Sequence, residues 1–398
     1  MRRSSVREYV DAIRGRYRRA SRGEKGRMLD ECTDVTGYHR KAAIRLLRDD
    51  AGTGGRERRG RPRTYGPEVA HALRMVWEAA DRLCSKRLAP FLPELVAVLE
   101  RQGELALRAE VKAALLQMSA STMDRLLKPD RQQSKRRSLS TTKPGTLLKT
   151  AIPIRTFSDW DERRPGFVEV DLVAHCGDST EGFYLTTLSA VDIATGWVEV
   201  QGVWGKGQER VGSAIHTLRQ RLPFPLLGLD SDNGGEFINH HLYAYCLREQ
   251  ITFTRSRPYK KNDSAHVEQK NWHVVRRLVG YDRHTSREAL EHLNRVYHTL
   301  RLYMNFFQPV MQIQAKHRVG ARVRKTYDTA RTPYQRVRES GVLTPEQEAA
   351  LQETYQRLNP VKLKAQIDRD LDRLWALARA ERHASSVTVP SEATIPSR

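Results

Sequence analysis

Phe167-Val168-Glu169-Val170-Asp171-Leu172-Val173 is the stretch on which the fold turns. Its apolar and β-branched residues predict a strand. Asp171 sits midway along it between Val170 and Leu172, where a charged group is costly unless a partner or a metal meets it. Downstream, 183–191 reads as a second strand, 192–196 as a turn and 197–203 as a third strand. A helix over about 208–222 follows, then a strand at 226–229, a helix near 238–248, a short strand at 251–254 and a helix over about 264–278.

Three strands followed by alternating helix and strand predict an α/β core of ribonuclease H-like type over 160–280: a mixed five-stranded sheet with flanking helices. In that order strands one and four are neighbours, so an acid closing the fourth strand faces Asp171. The segment Leu229-Asp230-Ser231-Asp232-Asn233-Gly234-Gly235-Glu236-Phe237 supplies two candidates, Asp232 and Asp230, before a sharp Asn-Gly-Gly turn. Glu268, early in the last helix, can lie across the same edge. Three converging carboxylates suit phosphodiester chemistry, which calls for two divalent metals about 4 Å apart rather than covalent help from the protein. Mg²⁺ takes hard oxygen ligands of this kind. Glu169, Asp178 and Asp192 read as solvated or turn acids, and Cys32, Cys84, Cys176 and Cys246 as lone buried thiols, too scattered for a zinc knuckle or a disulfide framework.

Asp171, the run Ser231-Asp232-Asn233-Gly234 and Glu268 after 35 intervening residues resemble the DDE motif of retroviral integrases and of related bacterial insertion-sequence transposases. The text Arg257-Pro258-Tyr259-Lys260-Lys261-Asn262-Asp263-Ser264-Ala265-His266-Val267-Glu268-Gln269-Lys270-Asn271-Trp272 and the later Arg331-Thr332-Pro333-Tyr334 are similar to one bacterial integrase-core group. The resemblance places its second acid directly before Asn-Gly, which favours Asp232 over Asp230. It implies a polynucleotidyl transferase with Asp171, Asp232 and Glu268 as catalytic and metal-binding residues, two Mg²⁺ or Mn²⁺ ions per site, DNA as element ends and target, and a homo-multimer that joins two ends at once. The viral members' zinc-binding N-terminal module has no counterpart here.

Outward from the core, 1–50 reads as a helix-turn-helix-like DNA-binding domain, with a basic second helix after Thr36-Gly37-Tyr38-His39. A basic linker, 51–66, carries Arg59-Gly60-Arg61-Pro62-Arg63, similar to an AT-hook core. A second helix-turn-helix domain is expected over 67–127, with Ser121 and Asp124 forming a capping box at its last helix, and a basic tether over 128–159. On the Glu268 helix, Asn271, Trp272 and Arg276 share the acid's face; Trp272 reads as core packing, with stacking on a base as the alternative. Lys260, Lys261, Lys270, Arg276 and Arg277 are candidates to hold strand phosphates, with Asn262 and His266 as positioning groups. After the core, 281–340 reads as a helix plus a basic strand-rich DNA-binding region, a small barrel, in which Arg322, Arg324 and Lys325 are the contact candidates. The last segment, 341–398, reads as a charged helical tail.

A net charge of +22 and an isoelectric point near 10.1 fit a polyanionic partner. No apolar run reaches the roughly 20 residues that cross a bilayer, and no apolar stretch follows the Arg-rich start as a secretory signal would require. The expectations are therefore no membrane partner, no small-molecule substrate and a cytoplasmic, nucleoid-associated site of action. The chemistry expected is metal-dependent 3′-end cleavage and strand transfer of a mobile element. The rivals are a structure-selective nuclease of the same fold, which hydrolyses without joining, and a non-catalytic DNA-binding regulator.

Overall fold

The computed structural model describes residues 3–48, 65–133, 164–232, 234–255, 265–319 and 322–387. They fall into two compact units, within 1–64 and 65–398.

The first unit is three helices, α1 (Arg3–Arg19), α2 (Arg22–Thr36) and α3 (Arg40–Arg48). Ser21 and Glu24 cap the start of α2 reciprocally, and Gly37 ends it at φ 70, a left-handed turn that favours glycine. Val10, Tyr17, Leu29, Cys32, Ala43 and Leu47 form the core. Arg40, Lys41, Arg45 and Arg48 of α3 remain exposed.

The second unit opens with α4 (Pro67–Ala79), α5 (Ser85–Arg101), α6 (Ala109–Leu116) and α7 (Ala120–Leu126). The expected capping box at Ser121 is not what starts α7. Ser119 caps it by accepting from Thr122 N, whereas Asp124 accepts from Ser85 Oγ at 2.7 Å and so ties α7 to α5. Nor is this block a separate domain. Its Leu73, Trp77, Leu92 and Leu95 belong to one apolar core with residues of the sheet and of the C-terminal helices. Tyr303 Oη donates to Ala79 O at 2.7 Å and Gln308 Nε2 to Ala80 O at 3.1 Å, so the joint is also satisfied in its polar groups.

The sheet comprises β1 (Phe167–His175), β2 (Leu185–Asp192), β3 (Val198–Val203), β4 (Gly228–Ser231) and β5 (Thr252–Arg255) in the order β3-β2-β1-β4-β5. β2 runs antiparallel to both β1 and β3, while β4 and β5 run parallel to β1 and to each other. Between the last strands lie α8 (Gln208–Arg221) and α9 (His240–Arg248). Period-two alternation assigns the faces. Val168, Val170 and Leu172 pack with Val211, Ile215 and Leu242 of α8 and α9. Glu169 and Asp171 therefore point to the other face.

That other face is covered by α10 (Ala265–Lys270), a π-helical segment Asn271–Arg276 and α11 (Arg287–Phe307). Gly202 of β3 admits α11 closely, since a Cβ there would lie 3.1 Å from side-chain atoms of Leu290, Leu293 and Asn294. Beyond come β6 (Ile313–Val319) and β7 (Arg322–Tyr327), then α12 (Pro333–Glu339), α13 (Pro345–Arg357) and α14 (Pro360–Val387). The expected small barrel is, among the described residues, a two-stranded antiparallel hairpin. The expected charged tail is a packing element instead: Ile367, Leu371 and Leu374 of α14 are buried in the shared core, and Trp375 Nε1 donates to Val279 O at 2.8 Å. No helix among the described residues is long and apolar enough to cross a membrane.

Candidate active site

The parallel register sets the site. Val170 pairs with Ser231, so one residue further Asp171 stands beside Asp232, just past the end of β4. Asp171 is anchored at both oxygens: Oδ1 accepts from Leu172 N at 2.8 Å and Oδ2 from Asn271 Nδ2 at 2.5 Å. Burial, then the nearby Asp232, Glu268 and Glu236 carboxylates, push its carboxyl up to about 7. Asp232 is raised by burial against a hydrogen bond from Gly234 N at 2.9 Å, and Glu236 by burial and by Asp232. Four acids thus share one field, with Glu268 contributed by α10.

Gly234 makes the turn possible. A Cβ there would come within 2.7–2.9 Å of the Glu236 and Asp232 carboxylates. Asp230, the competing candidate, is buried within the sheet and accepts from Thr254 Oγ1 at 2.5 Å, which ties it to β5. Asn233 lies outside the described residues.

Two of the three acids expected to be solvated or in turns are buried. Glu169 is 1% exposed and its Oε2 accepts from Val267 N at 3.0 Å, fastening α10 to β1. Asp192 does shape a turn, accepting from Thr195 and Gly166 N, but it is buried and its carboxyl is pushed up to about 6 by that burial. Asp178 is exposed. Cys84 is exposed, unlike the other three cysteines.

The π-helical segment changes which residues share the Glu268 face. Asn271 is buried against the sheet, donating to Asp171 and accepting from Ser189 Oγ. Trp272, expected in the core, is 49% exposed. Arg276 lies over the Tyr281 ring, 5.0 Å from its centroid. Lys270 and Arg277, expected to hold strand phosphates, line a separate cavity that none of the four carboxylates lines; there Arg277 pairs with Asp81 at 3.2 Å. Burial, with Arg87 and Arg336 nearby, lowers the Lys270 ammonium to about 8. Arg324 and Lys325 are exposed on β7. Lys260, Lys261, Asn262 and the side chains of His266 and Arg322 lie outside the described residues.

The donor set is one of hard oxygens, and a divalent cation would relieve the mutual repulsion of the acids. Among the described residues no three His, Cys, Asp or Glu side chains close around a single point. Mg²⁺ ordinarily takes one or two carboxylates and keeps waters, a coordination this donor set can supply.

The uncharacterized protein y4rM of Sinorhizobium fredii is 47% identical over 320 residues, which cover 80% of this chain and 91% of that protein. The chain belongs to the y4rM family. Membership in the y4rM family brings no activity with it, since that relative is itself uncharacterized. No known family profile matches the chain. The catalytic core domain of BIV integrase is 20% identical, covers 44% of this chain and 95% of that domain, and superposes with a TM-score of 0.30. A likeness at that score assigns the chain no function.

Proposed function

We propose that the chain is a DNA transposase of the integrase type, with Asp171, Asp232 and Glu268 as its catalytic carboxylates. The observation that carries this reading is the convergence of Asp171, midway along β1, with Asp232 just past the end of the adjoining parallel strand β4 and Glu268 from α10, in whose field the Asp171 carboxyl is raised. Perturbed acids gathered in this way mark sites built for chemistry more often than for packing. Asp171 and Asp232, completed by Glu268, would hold the divalent ions. When bound, such a pair supplies a nucleophile at neutral pH and charge neutralisation at the leaving oxygen.

The chain's own residues do the positioning. Asn271 and Leu172 N fix the two oxygens of Asp171, and Gly234 N orients Asp232. In the first reaction a water oxygen bonds to phosphorus at the element end and the P–O3′ bond breaks, leaving a free 3′-hydroxyl and a 5′-phosphate. In the second, that 3′-oxygen bonds to a target phosphorus and a target 3′-oxygen leaves. The first unit, with its exposed basic α3, serves end recognition. The cations of the β6–β7 hairpin, together with Lys260 and Lys261, serve phosphate contact.

The test uses duplexes from the flanks of the coding sequence, with Mg²⁺, and resolves cleaved from joined products. Asp171→Asn, Asp232→Asn and Glu268→Gln each reduce both products to background while end binding persists. Survival of Asp232→Asn with loss in Asp230→Asn would move the second acid to Asp230. Hydrolysis without joining in the parent would identify a nuclease, and metal-independent binding alone a regulator.

A further inference from the structure

Behind the π-helical segment lies a cavity of about 480 Å³, formed by the turn after α4, the start of α5, the segment itself, α11 and α14. That volume is within the range of about 300–1,000 Å³ typical of small-ligand sites. Its charge is lopsided. Arg82, Lys86, Arg87, Lys270, Arg277 and Lys364 line it against one acid, Asp81. Asp81 is already engaged by Arg277 at 3.2 Å and reached by Lys364 at 3.8 Å. Lys270, half-buried in the cavity wall, has neither a hydrogen-bond nor an ion-pair partner among the described residues, which leaves its charge open to an anion in the cavity.

The remaining wall is largely apolar, with His273, Gln308 and Gln312 among its polar members. Leu278, Leu300 and Met304 face the cavity from one side, Ile193 and Met311 from another. Simple counter-ions would satisfy the cations and leave this wall wet. An apolar ligand would cover the wall and strand the cations. One molecule answers both: a compact multivalent anion joined to a flat, mostly apolar body. Phosphate groups are the anions that lysine and arginine clusters hold best, through short charge-assisted hydrogen bonds.

We propose that this cavity is a binding site for a free nucleotide carrying two or more phosphate charges, its base against the apolar wall and its phosphates toward Lys270 and Arg87. The site is distinct from the carboxylate cluster and does not depend on the transposase reading. None of the acids assigned to chemistry lines it.

The experiment is titration calorimetry on the full chain at physiological salt, with ADP, adenosine and pyrophosphate as probes. ADP binds saturably at one site, and the two fragments bind at least about tenfold more weakly. Lys270→Met and Lys86→Met each lower ADP affinity about tenfold or more, the scale of one charge-assisted hydrogen bond. Lys86 is exposed at the rim, so its variant reports even if the Lys270 site repacks. Arg248→Met and Arg357→Met, at cations 70% and 76% exposed and away from the cavity, remove the same charge and leave ADP binding unchanged. The proposal is overturned if ADP does not bind, if pyrophosphate binds as tightly as ADP, or if the two distant variants weaken binding as much as the cavity variants.

Discussion

Asp171 carries the electrostatic cost of the candidate active site. Its carboxyl is raised from 3.8 to about 7, so the folded chain holds that proton more tightly than the unfolded chain does. The stabilisation linked to it is complete below about pH 4 and lost as pH rises through 7. At pH 8 the metal-free chain therefore bears an unfavourable charge, and Asp171→Asn should raise its Tm by several degrees there and by little at pH 5. Differential scanning calorimetry in chelator at both pH values measures this; a lower Tm at pH 8 would show that the charge is not under strain. Asp171 and Asp232 could be found in sequence because sheet order alone makes neighbours of a mid-strand acid on β1 and an acid at the end of β4, and Glu268 because it lies on a helix that can cross that edge. Helical spacing put Asn271 on the Glu268 face but gave no sign of its bond to Asp171, and Glu236 could not be found that way. One reaches Asp171 from a π-helical segment that no side-chain pattern announces, and the other returns to Asp232 through a glycine turn. Glu169 was misread because alternation marks a strand residue as outward, whereas this strand is covered on both faces, and only the packing of α10 reveals that.

Elements with strong periodicity were the most legible. The five strands and their helices stand within a few residues of the positions expected, since apolar alternation and helical spacing are local signals. The hairpin and α14 were not, because their reading hangs on what they pack against. In β7, Arg324 and Lys325 are consecutive and so point to opposite faces. A duplex lying on one face touches one of them. Single Arg324→Ala and Lys325→Ala variants should then differ: one flattens the slope of log affinity against log salt by about 0.9, the other leaves it nearly parallel to the parent. Affinities measured from low to moderate salt on random duplex would decide it, and two unchanged slopes would remove the hairpin from the DNA interface.

At the scale of the whole molecule, two units divide the labour proposed for them. Removing 1–64 takes away a self-contained three-helix core and leaves the larger unit its own. A 65–398 chain should remain folded, keep weak salt-sensitive DNA binding and lose selectivity for element ends. Footprinting that gave the same protected sequence with the shortened chain would place end recognition in the larger unit. Boundaries within 65–398 were illegible for a physical reason: apolar stripes announce that a helix packs, not which distant surface it packs on. That arrangement bears on how the protein is made. Residues near position 77 share a core with residues near 371, and a ribosome adds about 5–20 residues each second. For roughly the last quarter of a minute of synthesis, or more, the nascent chain holds the surface meant for α14 uncovered. A chain cut short before residue 360 would be left with that surface open, a substrate for chaperones and proteases rather than a folded protein.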